Sequence, residues 1–471
     1  MKLLDFFVLL TFILNFIFSQ NSNTLEDSEN IKYIEFSFKR NLTSNKILEP
    51  EDFFKTYFYN QIYTNIKVGS NKVEIPFYFY LQQFSFAIQS SNVDNSQVKG
   101  KYNELKSGNY ESLEEIKYFD KGDIQKAILS KDIFYFSNNK QSSIKFYLTK
   151  ENSDKAHITE GGKIGFRLYP QFNESKESSF ITNLKDNKLI TSNILTFKYD
   201  SNKTEEDSGK LYIGAYPHAF SPERYNEKNY IKGIGINSEG FWTYFFDEVK
   251  IGNKVLDRSK ESYFYSELGF IIGTENFFNF INSNDAWLEY FNASKKCYKK
   301  NFRIDDFEGN ERTNYRFIYE FTGYYCDKDV DIEKFNIGEL SFLNKSMNYY
   351  FNFTFKDLWI EKNGFKYFMI LQTLLPENIW FFGKPFFKKY QMVFELDNKA
   401  IGFYTYINEK NSKIKKNNKN ILIYIVVIIV LLIIIFGLVF LLIKCYFSLP
   451  RKKRANELLD ENYEYSEQNI N

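Results

Sequence analysis

Val73-Glu74-Ile75-Pro76-Phe77-Tyr78-Phe79-Tyr80-Leu81 sets Val73, Ile75, Phe77, Phe79 and Leu81 on one side of the chain, alternating with the rest. A two-residue period is that of a β-strand with one buried face. Working outward, similar aromatic and β-branched runs recur between turn residues, at Ile133 to Phe136, Ile144 to Tyr147 and Leu211 to Ile213. Helical patterns are few, at about Ser179 to Leu189 and Thr274 to Phe280. Residues 56–407 therefore predict a mainly β ectodomain, long enough for two lobes, at 56–200 and 201–407. Residues 20–55 form a polar amino-terminal extension, and 408–420 a basic stalk.

The 471 residues carry 61 Lys and Arg against 59 Asp and Glu, a net charge of +2, so a nucleic-acid partner is excluded. Apolar residues make up 44% and charged residues 25%, which excludes a disordered chain. Two histidines, His157 and His218, and three cysteines leave no room for a metal cluster, and no cofactor motif is present.

Both ends carry targeting information. The apolar run from Leu3 to Phe18 is too short to span a bilayer and reads as a signal peptide over residues 1–19. Ile421 to Ile443 is uncharged, and at about 1.5 Å per residue reaches across a membrane, so 421–443 is predicted to be a transmembrane helix. Five basic residues precede it (Lys410, Lys413, Lys415, Lys416, Lys419) and five follow it (Lys444, Arg451, Lys452, Lys453, Arg454). The positive-inside rule is thus balanced, and the leader decides. Residues 20–420 face the lumen or the outside, at the cell surface or an endolysosomal membrane, and 444–471 form a cytoplasmic tail. Cys445 at the inner edge offers a palmitoylation position against the plainer reading of a free thiol.

Sequons begin at Asn41, Asn173, Asn202, Asn292, Asn344 and Asn352, all before the span, and are glycosylation candidates. Cys297 and Cys326 are the only cysteines before the span; in an oxidising compartment they should pair.

Several segments, in order over roughly residues 57–406, resemble the pepsin-like aspartic peptidases. Tyr63 to Gly69 resembles the opening strand, Ile75 to Leu81 the strand leading to the first catalytic loop, and Ile116-Lys117-Tyr118 with Leu129 to Asp132 the flap hairpin. Gly162-Lys163-Ile164-Gly165-Phe166, Gly209 to Gly214, Phe241-Trp242 with Val249 to Gly252, and Trp380 to Tyr390 followed by Val393 to Glu395 and Ile401 to Phe403 continue the match. The resemblance implies a bilobal β-barrel/sandwich fold with an interlobe cleft for a peptide or protein ligand, a flap tyrosine at Tyr118, and a second-lobe disulfide at Cys297–Cys326.

Such peptidases need two aspartates, one per lobe, each in an Asp-Thr/Ser-Gly turn. Two close carboxylates cannot both ionise, so one serves as base and the other as acid. At the first position the sequence is Leu81-Gln82-Gln83-Phe84-Ser85, with Gln82, to within one residue, where the aspartate belongs. At the second it is Phe264-Tyr265-Ser266-Glu267-Leu268-Gly269, with Tyr265 there. Asp207-Ser208-Gly209 is a literal Asp-Ser-Gly but falls at the turn feeding a strand, and Glu267 has no partner in the first lobe. The expectation is a pseudopeptidase, a binding or surface-display module. The alternative is an active membrane-bound acid endopeptidase, which needs both loop registers to be otherwise.

Overall fold

The computed structural model describes residues 31–40, 49–59, 61–91, 101–120, 123–137, 140–150, 161–169, 176–200, 208–289, 291, 296–304, 319–335, 337–373, 379–407, 437 and 444. The expected signal peptide and cytoplasmic tail residues 445–471, like the expected transmembrane segment apart from residue 437, lie outside them. Among the described residues no helix is long and apolar enough to cross a membrane.

Two sheets carry the unit that ends at Tyr406. The alternating stretch is the strand Val73–Tyr80, and Ile75, Phe77 and Phe79 are buried with at most 1% of their surface exposed. It belongs to a 13-stranded sheet that also takes in Gln141–Thr149 and the hairpin of Glu111–Asp120 with Asp123–Tyr135. The second sheet has 11 strands, all but one on a path from Tyr349–Phe353 to Trp359–Lys362, with Cys297–Ile304 joined at the side. Tyr230–Ile234, Val393–Glu395 and Ala400–Tyr404 leave the second half of the chain and extend the first sheet. The two halves therefore share one antiparallel run, and one hydrophobic core holds residues of both. Glu395 is buried in that run. Burial opposes its charge, yet Lys232, Tyr230, Asn398 and Tyr216 hold its carboxyl below the usual range.

Both expected helices form. Phe180–Asp186 starts at Ser179, whose hydroxyl accepts from Thr182 N, and Glu275–Asn282 starts at Thr274, which accepts from Phe277 N. The polar extension expected over 20–55 contains one whole element and the start of a second. Ile34–Arg40 is a strand, with Ile34, Phe36, Phe38 and Arg40 buried, and it pairs with both Ser208–Ile213 and Ile62–Val68. Pro50–Phe58 is a helix with proline in its first turn.

Candidate functional site

A single arrangement occurs twice. In the first half, Val73–Tyr80 runs parallel to Gly162–Gly165, which is antiparallel to Phe86–Gln89. In the second, Lys254–Phe264 runs parallel to Trp380–Phe382, which is antiparallel to Ile271–Gly273. A loop thus leaves one strand, passes over a distant strand inserted from later in the chain, and returns on its other side.

The glycine ending each inserted segment fixes how the loops correspond. A Cβ on Gly165 would lie 2.3 Å from the Gln83 carbonyl oxygen, and one on Gly383 would lie 2.2 Å from that of Leu268. The residues two further on from Gly165 and one further on from Gly383 donate to those same carbonyls: Arg167 N to Gln83 O at 2.8 Å and Lys384 N to Leu268 O at 2.8 Å. The pairing agrees with this. Ile164 lies between Phe79 and Phe86, and Phe382 lies between Phe264 and Ile271. Counting from either landmark, Tyr80 corresponds to Tyr265, Leu81 to Ser266 and Gln82 to Glu267. Only a side chain as small as glycine's lets the loop backbone come so close at Gly165 and Gly383.

Gln82 is 4% exposed and turned toward the second half of the chain. Its amide nitrogen donates to Trp242 O at 2.9 Å and Phe264 O at 2.6 Å, and its amide oxygen accepts from Trp242 N at 3.0 Å. The Trp242 indole returns a bond to Phe166 O at 2.8 Å, and the Arg167 guanidinium lies 3.7 Å from the Phe241 ring while donating to Glu239 O. In the second loop, Ser266 Oγ reaches back to Phe79 O at 3.2 Å and lies 3.1 Å from a Glu267 carboxylate oxygen, to which it can also donate. Tyr265 is buried, its amide donating to Phe382 O and its ring beside Phe381.

The second loop is covered by the Pro50–Phe58 helix. Gly269 N donates to Phe58 O at 2.7 Å, and Tyr59 forms a bridge with Leu268. Phe53, Phe54, Tyr57 and Phe58 from the Pro50–Phe58 helix join Tyr265 and Leu268 in one apolar cluster.

The remaining expectations fall as follows. Asp207 lies outside the described residues; Ser208 and Gly209 start a strand, and Gly209 sits beneath Phe38, where a Cβ would meet the ring at 2.5 Å. Tyr118 pairs with Gln125 in the hairpin, and its side chain lies outside the described residues. Cys297 and Cys326 form a disulfide between directly opposed strand residues with Cα atoms 4.0 Å apart. Asn41, Asn173, Asn202 and Asn292 lie outside the described residues. Asn344 is buried, its amide donating to Phe245 O while its oxygen accepts from Ser346 and Met347, so the folded chain has no room for a glycan on it. Asn352 is partly buried on the strand Tyr349–Phe353.

Among the described residues Glu104, Asp132, Asp257 and Glu395 are buried carboxylates, and the second and third stand near the core of their halves. Asp132 accepts from the Tyr102 hydroxyl and from Ile133 N; burial and this carboxylate push the Tyr102 phenol well above its usual range. Asp257 accepts from Thr274, Asn276 and the Trp380 indole. Each is held by donors of its own half of the chain, and neither lies in a loop. Among the described residues no group of three His, Cys, Asp or Glu side chains converges as a metal centre requires. A cavity of about 600 Å³ opens elsewhere, lined by Glu35, Asn65, Lys67, Lys72, Tyr135 and Lys140 among others, with no residue from either loop.

No curated protein matches the chain. A family model described as eukaryotic aspartyl protease does match, over residues 61–406, from the strand Ile62–Val68 to the end of the last strand, and so takes in both loops and both glycines that crowd them. On that match, which covers well over half the sequence, the chain belongs to the eukaryotic aspartyl protease family.

Proposed function

We propose that this family member does not hydrolyse peptide bonds and serves as a membrane-anchored binding or display module. The observation that carries the reading is the pair Tyr80 and Tyr265 at equivalent points of the two loops. By that internal count we place the first family aspartate at Tyr80 rather than at Gln82. Gln82 and Glu267 then take the glycine position of the two Asp-Thr/Ser-Gly turns, and Leu81 and Ser266 the middle position. The proposal is the same with either residue, because neither phenol nor carboxamide supplies the carboxyl pair whose shared proton divides base from acid. The one acid in the two loops, Glu267, is a single carboxylate, bonded by its neighbour Ser266. Gln82 further supports the reading, since its amide ties the first loop to the backbone of Trp242 and Phe264.

We place residues 421–443 across a membrane and the family domain on its lumenal or extracellular side. The apolar run, the leader-like amino terminus and the sequons before the span support that placement.

The test is to purify the full chain in detergent and incubate it with an unfolded protein substrate from about pH 3 to 7, with and without a statine inhibitor. The expected result is no inhibitor-sensitive cleavage at any pH, and none after Tyr80→Asp or Tyr265→Asp alone, because one carboxyl has no proton-sharing partner. Statine-sensitive hydrolysis by the unaltered chain would overturn the proposal.

A further inference from the structure

The first sheet forks between the strands Ile34–Arg40 and Ile62–Val68. They pair with each other only at one end, Lys39 with Tyr63 and Arg40 with Ile62. Beyond that point Ile34 to Phe38 pair only with Ser208–Ile213, while Lys67 and Val68 take Tyr135 and Phe134 as partners. Among the described residues, Thr64, Asn65 and Ile66 pair with Ile75 to Phe77 on one side and with no strand on the other. The cavity of about 600 Å³ occupies this fork. Its far end is bounded by Ser137, whose hydroxyl donates to Glu35 O at 3.0 Å, and by Lys140, whose ammonium donates to Tyr33 O at 3.1 Å.

Alternation along both strands sorts the walls. Phe36, Ile66 and Phe136 are buried and give an apolar floor, and Ser37, Asn65 and Lys67 stand at the exposed positions between. Five charged side chains line the fork: Glu35, Lys67, Lys72, Glu74 and Lys140. Glu35 is already paired with Lys210 at 2.6 Å. Lys67, Lys72 and Lys140 have no carboxylate within ion-pair distance among the described residues, although Glu74 is opposite Lys67 in the strand register. The Lys72 ammonium lies 4.9 Å from the centre of the Tyr135 ring. Burial, with the charge of Lys32 beside it, pulls the Lys140 ammonium below its usual range. Three ammoniums against the one unpaired carboxylate, Glu74, leave a surplus of two positive charges on one cavity. The unpaired stretch of three residues is only about 10 Å long, too short to seat a further strand, whereas the volume suits a small molecule. Lysine is a point charge with three donors, which matches phosphate or sulfate oxygens.

We propose that this fork binds a sugar-sized polyanion, a saccharide or cyclitol ring carrying two or more sulfate or phosphate groups. Lys67, Lys72 and Lys140 neutralise the anionic groups, and Ser37 and Asn65 offer bonds to ring hydroxyls. The site contains no residue of either loop, so the inference stands whether or not those loops hydrolyse peptides.

The experiment titrates the full chain, in nanodiscs of neutral lipid at about 0.15 M salt, with two probes followed by calorimetry. One probe is myo-inositol hexakisphosphate and the other a fully sulfated heparin disaccharide. The expected result is one-to-one binding of at least one probe with a Kd of about 100 μM or tighter. Binding of the first alone, the second alone or both assigns the site to phosphate, to sulfate or to either. Lys67→Gln with Lys72→Gln, both at exposed positions, should weaken binding at least about tenfold. The exposed pair Lys334→Gln with Lys345→Gln, in the other half of the chain, should change it by less than about twofold. No binding of either probe, a smaller loss at Lys67 and Lys72, or an equal loss from the distant pair would each overturn the proposal. Labelling with acetic anhydride gives an independent reading at a residue left unaltered. A bound anion raises the ammonium pKa, so Lys140 should react at least about threefold more slowly with probe present while Lys334 does not change. An unchanged rate at Lys140 would overturn the proposal as well.

Discussion

The first loop is closed by a polar side chain and the second by an apolar cover. Gln82 crosses from one half of the molecule to the other and meets both a donor and two acceptors of the opposite backbone. Its counterpart Glu267 accepts from the adjacent Ser266, while the helix Pro50–Phe58 packs over the neighbouring residues Leu268 and Gly269. Equivalent positions in a duplicated frame have thus taken different chemistry. The frame itself is unchanged, because the strand order, the loop length and the crowded glycines agree between halves. What a scaffold needs and what the side chains on it do are separable, and here the scaffold's needs are met twice.

The glycines give the sharpest way to break that equivalence. Gly165→Ala and Gly383→Ala each push a methyl group against a backbone carbonyl, which cannot swing aside as a flexible side chain would. Each should cost about 3–5 kcal/mol in denaturant unfolding, and the two costs should agree within about 1 kcal/mol. A large penalty at one and a negligible one at the other would end the correspondence that sets Tyr80 against Tyr265.

The next effect separates the loops. Gln82→Ala removes three buried hydrogen bonds and leaves Trp242 N–H without its acceptor. Trp242 O keeps a bond from Phe264 N, so the loss falls mainly on one donor and on Phe264 O. Urea unfolding should show a loss of about 2–3 kcal/mol. Gln82→Glu sharpens the point, because a carboxylate would face two carbonyl oxygens with no proton to offer. The new carboxyl should stay protonated in the folded state, with its pKa raised above the unfolded value of about 4.3. Stability should therefore be fullest below about pH 4 and fall as pH rises toward the raised value, since the native state holds the extra proton over that window. A loss that does not change with pH would show that this side chain does not face the carbonyls.

Legibility followed the same division. The Val73–Tyr80 strand is plain because its alternation reports burial on one face, and the second loop is punctuated by Ser266, Gly269 and Gly273. The first loop has no such marks. From Leu81 to Ser85 there is neither glycine nor threonine, and the polar Gln82 stands out, although the equal spacing Tyr80 to Phe86 and Tyr265 to Ile271 sets Tyr80 opposite Tyr265 and Gln82 opposite Glu267. The amino-terminal elements were missed for a different reason. Ile34, Phe36 and Phe38 alternate with Glu35, Ser37 and Lys39, and Pro50-Glu51-Asp52 opens an aromatic face, so both signals were present. They sit between polar runs whose composition outweighed them. The hydrogen bonds of Gln82 were not readable at all, since Trp242 and Phe264 lie 160 and 182 residues away.

The smallest effect tests the comparison from its quieter side. Glu267 is only partly buried, and it accepts from the adjacent Ser266, whose hydroxyl also reaches Phe79 O. Glu267→Gln keeps an oxygen able to accept from Ser266 and leaves the backbone contacts of Leu268 and Gly269 with Lys384 and Phe58 untouched. The expected change is below about 0.5 kcal/mol at neutral pH, within the range of ordinary surface substitutions. The opposite change at the equivalent position, Gln82→Glu, should be several times costlier at neutral pH. If Glu267→Gln instead destabilised the chain by about 2 kcal/mol or more, the second loop would depend on its acid as strongly as the first depends on its amide. The contrast between a polar lock and an apolar cover would then fail, and the helix Pro50–Phe58 would be secondary to Glu267 in closing that loop.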